Sequence, residues 1–141
     1  MAYLFDTDAI SELLRPRPLP RYVRWLRSVP REDQYASAVT IGELFQGAFR
    51  SEARERHLKN IEERVLSAVT VLPYDVATAR VFGEIRARLE TAGQPLPDAD
   101  LQIAATALHH NLELVTGNLR HFERIAGLRL CRALEDARQS R

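Results

Sequence analysis

Five carboxylates stand where a short apolar run or a proline loop gives way to a helical pattern. Asp6 and Asp8 follow Tyr3-Leu4-Phe5, Glu43 follows the run Tyr35 to Val39, and Asp98 and Asp100 follow Gly93-Gln-Pro-Leu-Pro97. Each has a structural reading of its own. Asp6 or Thr7 suits a helix N-cap, whose side-chain oxygen accepts an otherwise orphaned amide. Thr40-Ile-Gly-Glu43 fits the capping box, in which the glutamate reaches back to the cap amide. Asp98 is placed to cap a helix after Pro97, and Asp100 in the first turn complements the helix dipole. Taken together, the acids point to chemistry. Strand-to-helix junctions of a parallel sheet lie along one edge, so side chains distant in sequence converge there. Gathered acids repel one another and their pKa values rise unless a cation neutralises them. Oxygen donors without a cysteine or histidine partner favour Mg2+ or Mn2+ over zinc. Such an ion activates water and offsets phosphate charge, so phosphodiester hydrolysis is the natural reaction class.

The elements that must position these acids are visible as alternating patterns. Tyr3 to Phe5, Tyr35 to Val39, Val69 to Leu72, Leu112 to Thr116 and Leu128 to Leu130 are short apolar runs that read as strands. Between them lie helical patterns: a segment through Leu14, ended by Arg15-Pro-Arg-Pro-Leu-Pro20, then Tyr22, Trp25, Leu26 and Val29 at i, i+3, i+4, i+7. Ile41, Leu44, Phe45 and Ala48 repeat that spacing, and a charged helix is expected from about Glu52 to Leu66. A long helix runs from Asp75 towards Thr91. Asp98 opens another with the stripe Leu101, Ala104, Ala105 and Leu108, and Asn118 to Arg124 forms a short one. Strands alternating with helices predict an α/β fold, a parallel sheet covered by helices. No repeat, low-complexity tract or linker divides residues 1–141, so one domain is expected.

Composition bounds the partners. Hydrophobic residues make up 45% and charged residues 28%, the profile of a globular protein. No apolar run reaches the roughly 20 residues that span a bilayer, and Met-Ala-Tyr-Leu-Phe-Asp6 lacks the basic start of a signal peptide. Cys131, the single cysteine, excludes an internal disulfide and fits a reducing cytoplasm; its apolar setting reads as a buried thiol. The net charge of +1 does not announce a nucleic-acid binder. Nineteen of the 20 basic residues are arginine, which suits phosphate recognition and also follows from a GC-rich genome. Arg15, Arg17, Arg21, Arg24, Arg27, Arg86 and Arg88 read as solvated faces before phosphate contacts, Phe45 and Phe49 as core or interface, and His109 and His110 as helix-end residues rather than ligands.

The same residues resemble the PIN-domain family, in particular the VapC-like ribonuclease toxins of prokaryotic toxin–antitoxin pairs. Tyr-Leu-Phe-Asp6-Thr-Asp-Ala-Ile-Ser-Glu-Leu is similar to the family's opening signature, an apolar strand running into Asp-Thr-Asn. Ser37-Ala-Val-Thr-Ile-Gly-Glu43-Leu resembles the passage with the second acid, and Asp100-Leu-Gln-Ile-Ala-Ala the third. Leu114-Val-Thr-Gly-Asn118 and Phe122-Glu-Arg-Ile-Ala-Gly-Leu resemble the C-terminal block, so four blocks match in order. The resemblance implies a three-layer α/β/α sandwich with a central parallel sheet and cleavage of single-stranded RNA with Mg2+ or Mn2+. It also implies a homodimer and inhibition by a cognate antitoxin. It assigns the metal to Asp6, Glu43 and Asp100, makes Thr7 a polar neighbour of the metal water and places Thr116 on the floor of the site. Two departures stand out. The usual asparagine of the first signature is Asp8, and the fourth family acid falls at Asn118 or three residues later, at His121. Asn118 offers a carbonyl or positions a water but brings no charge, which leaves one-metal and two-metal catalysis open. Asp8 or Asp98 are candidates to compensate, with Asp98 more readily a helix cap.

Two rival readings carry different tests. A haloacid-dehalogenase-type phosphatase would use Asp6 and Asp8 as nucleophile and acid, but needs a lysine near the phosphate, and Lys59 is the sole lysine. A degenerate PIN module would bind RNA or an antitoxin without cutting. Nothing resembles a P-loop, a nucleophile elbow or a cysteine-based zinc site.

Overall fold

In the computed structural model, which describes residues 1–140, the short apolar runs become strands of one sheet. They are β1 (Tyr3–Phe5), β2 (Gln34–Ser37), β3 (Thr70–Leu72), β4 (Glu113–Val115) and β5 (Leu130–Cys131). All pair in parallel, in the order β3-β2-β1-β4-β5. Leu4 lies opposite Tyr35 on one side and Leu114 on the other. The order turns back between β1 and β4, so a crevice opens at their carboxyl ends.

The helices are α1 (Thr7–Leu14), α2 (Pro20–Arg27), α3 (Ala38–Arg50), α4 (Arg54–Asn60), α5 (Val76–Thr91), α6 (Asp98–His109), α7 (Leu119–Phe122) and α8 (Ala133–Gln139). A π-helical turn, Ile61–Val65, extends α4. The pleat of each strand feeds two cores, because successive side chains point to opposite faces. Phe5 and Val115 enter a core with Ile10, Tyr22, Leu44, Ile61 and Leu134. Leu4 and Leu114 enter the other, with Ile85, Leu101, Ile103 and Phe122. Helices thus cover both faces, and the expected three-layer α/β/α arrangement is what forms.

Several boundaries differ from expectation. The run Tyr35 to Val39 yields its strand early, because Ser37 accepts from Val39 N at 3.1 Å and starts α3 at Ala38. Thr40 is therefore inside a helix and fully buried, and the capping box does not form. The helix with the Tyr22/Trp25 stripe ends at Arg27, two residues before buried Val29 and ahead of Pro30. The last strand is Leu130–Cys131, in register with Val115, rather than 128–130. In α6 burial extends beyond the expected stripe to Ile103, Thr106 and Ala107, because the helix lies between α5 and the sheet core. The pattern of residues 133–139 was too short to announce α8, whose buried side chains are only Leu134 and Ala137. Among the described residues no helix is long and apolar enough to cross a membrane.

Candidate active site

Asp6 continues the β1 ladder: its amide donates to Val115 O at 3.1 Å. The chain then turns into α1, and Asp6 Oδ1 accepts from Ala9 N at 2.8 Å as the N-cap. Thr116, at the end of β4 and fully buried, hydrogen-bonds the same carboxyl group. Despite these donors Asp6 is pushed up from 3.8 to about 7, chiefly by burial and further by the charges of Asp8 and Asp100. Cap and cleft residue are here one and the same. The position that caps a helix at the switch point also faces the crevice.

Glu43 comes from α3. Thr7 Oγ1 lies 2.5 Å from Glu43 Oε1 and 3.3 Å from Thr40 Oγ1, and its one proton serves the carboxylate. Asp100, in the first turn of α6, is held from α7: His121 Nε2–H donates to Asp100 Oδ2 at 2.9 Å. Among the described residues Glu43 Oε2 and Asp100 Oδ1 have no protein partner. Asp6, Thr7, Asp8, Glu43, Asp100, Asn118 and His121 line one cleft of about 280 Å³ at this sheet edge. As placed, no three His, Cys, Asp or Glu side chains among the described residues are gathered tightly enough to hold an ion. The acids share a cleft, each turned by its own hydrogen-bond partner.

Of the remaining candidates Asp98 lies outside the cleft, and the others are held by partners of their own. Asp98 neither caps α6, whose N-cap is Pro97, nor enters the cleft; it pairs with Arg86 at 3.1 Å on the surface. Asp8 lines the cleft but is held bidentately by Arg138, at 2.7 and 2.9 Å. Thr116 lies beneath the cleft rather than on its wall, and accepts from Asn118 N at 3.0 Å. Asn118 Oδ1 accepts from His121 N at 3.3 Å and so caps α7.

Sequence reasoning passed over three residues. His121 brings no acid where the fourth family acid falls, Arg138 lies in α8, whose pattern is too short to read, and Gly117 has no side chain to single it out. A β-carbon at Gly117 would collide with Arg138 Nη1 and Asp8 Oδ2, so this glycine makes room for their pair. The spacing of Asn118 and His121 was the available signal for α7, since an N-cap accepts from the amide three residues on.

Other singled-out residues are structural. Cys131 is buried and its thiol is pushed up to about 11 by that burial. His109 and His110 pack edge to face at the far end of α6 from Asp100. Arg21, Arg24 and Arg27 are exposed, and Arg86 and Arg88 pair with acids of α5 and α6. Phe45 packs against the first core, whereas Phe49 is 55% exposed under the Arg54 guanidinium. Lys59 is exposed on α4 and does not line the cleft, so the phosphatase reading loses its required cation.

Comparison with known proteins agrees with this fold. The profile of the PIN domain matches residues 3–128. A Haemophilus influenzae protein named ribonuclease VapC2 is 36% identical over 129 residues, covering 92% of this chain and 96% of its own length. The toxin FitB of Neisseria gonorrhoeae is 38% identical, covering 84% of this chain and 89% of its own. The crystal structure of DNA-bound VapBC from Salmonella typhimurium superposes with a TM-score of 0.85 at 34% identity, over 93% of this chain and 97% of that one.

Proposed function

The chain belongs to the PIN domain family, and from that premise we propose that it is a metal-dependent endoribonuclease. We take residues 1–141 as one nuclease domain that hydrolyses single-stranded RNA in the cytoplasm, as the toxin of a type II toxin–antitoxin pair. One observation carries the reading. Three carboxylates, from the starts of α1 and α6 and the second turn of α3, line one cleft at the sheet's switch point, and among the described residues neither arginine nor lysine pairs with any of them.

The donor chemistry, rather than the present spacing of the acids, fits a hard divalent cation. Every acid is an oxygen donor, and Glu43 and Asp100 each keep one oxygen without a protein partner. Buried Asp6, held near pKa 7, is the group whose ionised form a cation would favour most. Asp6, Glu43 and Asp100 would hold Mg2+ or Mn2+, with Asn118 and Thr7 as neutral neighbours. When bound, such an ion lowers the pKa of a water and offsets charge on the phosphate. The chain's own residues orient the acids: Thr116 and the Ala9 amide hold Asp6, Thr7 holds Glu43, and His121 holds Asp100. Asp8 also lines the cleft, where its charge helps raise Asp6 while Arg138 holds its carboxylate bidentately. Attack by water then leaves a 5′-phosphate and a 3′-hydroxyl.

The names of the relatives support this reading: one is a ribonuclease, one a toxin, and the VapBC structure joins a toxin to its antitoxin. A homodimer and a cognate antitoxin partner are part of the proposal. The test is cleavage of a defined single-stranded RNA pool with Mg2+, Mn2+ or EDTA. Asp6→Asn and Asp100→Asn should lower the metal-dependent rate by about a thousandfold, roughly 4 kcal/mol of barrier. Asparagine keeps the Asp6 cap, so folding should survive. Wild-type rates in either variant, or undiminished cleavage in EDTA, would overturn the assignment.

A further inference from the structure

A second cavity, of about 370 Å³, opens directly beside the acidic cleft and shares Thr7 and Glu43 with it. It is the groove between α1 and α3. From α1 it takes Thr7, Ser11 and Leu14, residues that fall on one helical face, and Arg15 follows at the C-cap. Its apolar walls include Leu44, Ala48 and Ile61, and its rim carries Arg15 and His57. Arg15 is steadied by Glu12, 3.2 Å away, yet its side chain remains 56% exposed, so N–H donors stay available at the rim.

Gly47 is the residue that points to an occupant. It lies inside α3, a 13-residue helix, where glycine is less favourable than alanine. No packing reason explains it, because a β-carbon at Gly47 would meet nothing within 4 Å. A longer side chain there would project into the groove that Gly47 lines. Gly42 of the same helix and Gly83 of α5 are equally open, but of the three only Gly47 lines this groove.

We propose that this groove is a nucleotide subsite, which takes the unpaired base and ribose adjoining the RNA phosphate held at the acidic cleft. The assignment rests on the nuclease reading above and deepens it. Continuity through Thr7 and Glu43 puts the groove next to the scissile bond. The apolar walls suit a base face, and Arg15 and His57 complement the anionic backbone. Single-stranded RNA is the matching form, since only an unpaired base can be turned out of a stack into a pocket.

The experiment compares wild type with Gly47→Leu and Gly47→Ala in Mn2+, on a single-stranded RNA oligomer and on bis(p-nitrophenyl) phosphate, which has no base. Gly47→Leu should unfold at or above the wild-type temperature and hydrolyse the small diester normally. On RNA its KM should rise by about tenfold, with Gly47→Ala in between. Oligomers with an abasic residue on either side of the mapped cleavage site provide the reciprocal arm. One of the two should raise the wild-type KM similarly and add nothing further in Gly47→Leu. Wild-type RNA kinetics in Gly47→Leu would overturn the subsite while leaving the nuclease intact, and would leave the groove to a protein segment. Loss of both activities in Gly47→Leu would also overturn it, by making the glycine part of the acidic site. A wild type that cleaves neither substrate would remove the nuclease reading, and the subsite with it.

Discussion

Two sets of carboxylates sit within a few residues of one another and are treated in opposite ways. Asp8, Glu12 and Asp98 each have an arginine: Arg138 binds Asp8 and reaches Glu12 at 3.4 Å, Arg15 binds Glu12, and Arg86 binds Asp98. Asp6, Glu43 and Asp100 have hydroxyls, an amide and an imidazole instead. The chain carries nineteen arginines, so cations were not scarce. Of the first set Asp8 and Asp98 are exposed and only Glu12 is buried; its side chain has 0% exposure and yet no unsatisfied atom, because Arg15 and Arg138 both reach it. In the second, oriented acids are left without a fixed positive charge, which is costly for folding and useful for holding a cation. Opposite responses to pH, mutation and metal should separate the two sets.

The largest separation concerns Asp6. Its folded pKa is raised to about 7 from 3.8, so between those values the folded state holds a proton that the unfolded state has released. Stability therefore falls as pH rises through that window, by about 4 kcal/mol when complete. In EDTA the melting temperature of the wild type should drop from pH 5 to pH 8 relative to D6N, and Mn2+ should reverse the drop. Parallel pH profiles for the two proteins would erase the distinction drawn here. Next is the paired set. Arg138→Ala removes the cation that serves Asp8 and Glu12 together, and should cost about 3 kcal/mol, seen as a lower urea midpoint at any metal concentration. A loss under about 0.5 kcal/mol would mean the pairing is incidental. The smallest effect tests orientation alone. His121→Ala frees Asp100 Oδ2 and should weaken Mn2+ binding about tenfold by calorimetry, with little change in melting temperature in EDTA. Unchanged Mn2+ affinity would reduce His121 to a surface partner.

Much of this arrangement was legible in the chain. The runs before Asp6 and after Leu112 are strands, since alternating apolar residues at a two-sided sheet leave a strong local mark. The three acids were legible because each begins or enters a helix after a run that could only be a strand or a turn. What was misread depended on competition between nearby caps. Ser37 outcompeted Thr40 for the start of α3, which moved Glu43 from a capping role to a hydrogen bond with Thr7. Pro97 opened α6 and left Asp98 free for Arg86, a residue of another helix. Gly117 carries no local signal of its role, because its small size serves a pair whose members are 130 positions apart.

By itself, then, the order of residues determined the alternation of strands and helices, the two apolar faces of each strand and the identity of the acids at the helix starts. These are local properties, written in periodicity and capping over a few residues. Only the folded chain decided which acids receive an arginine and which do not. Arg138 reaches Asp8 and His121 reaches Asp100 across 130 and 21 positions, by way of short helices with few core residues of their own. The physical reason is that a charge pair is a matter of a few ångströms in space, whereas a hydrophobic period is a matter of spacing along the backbone.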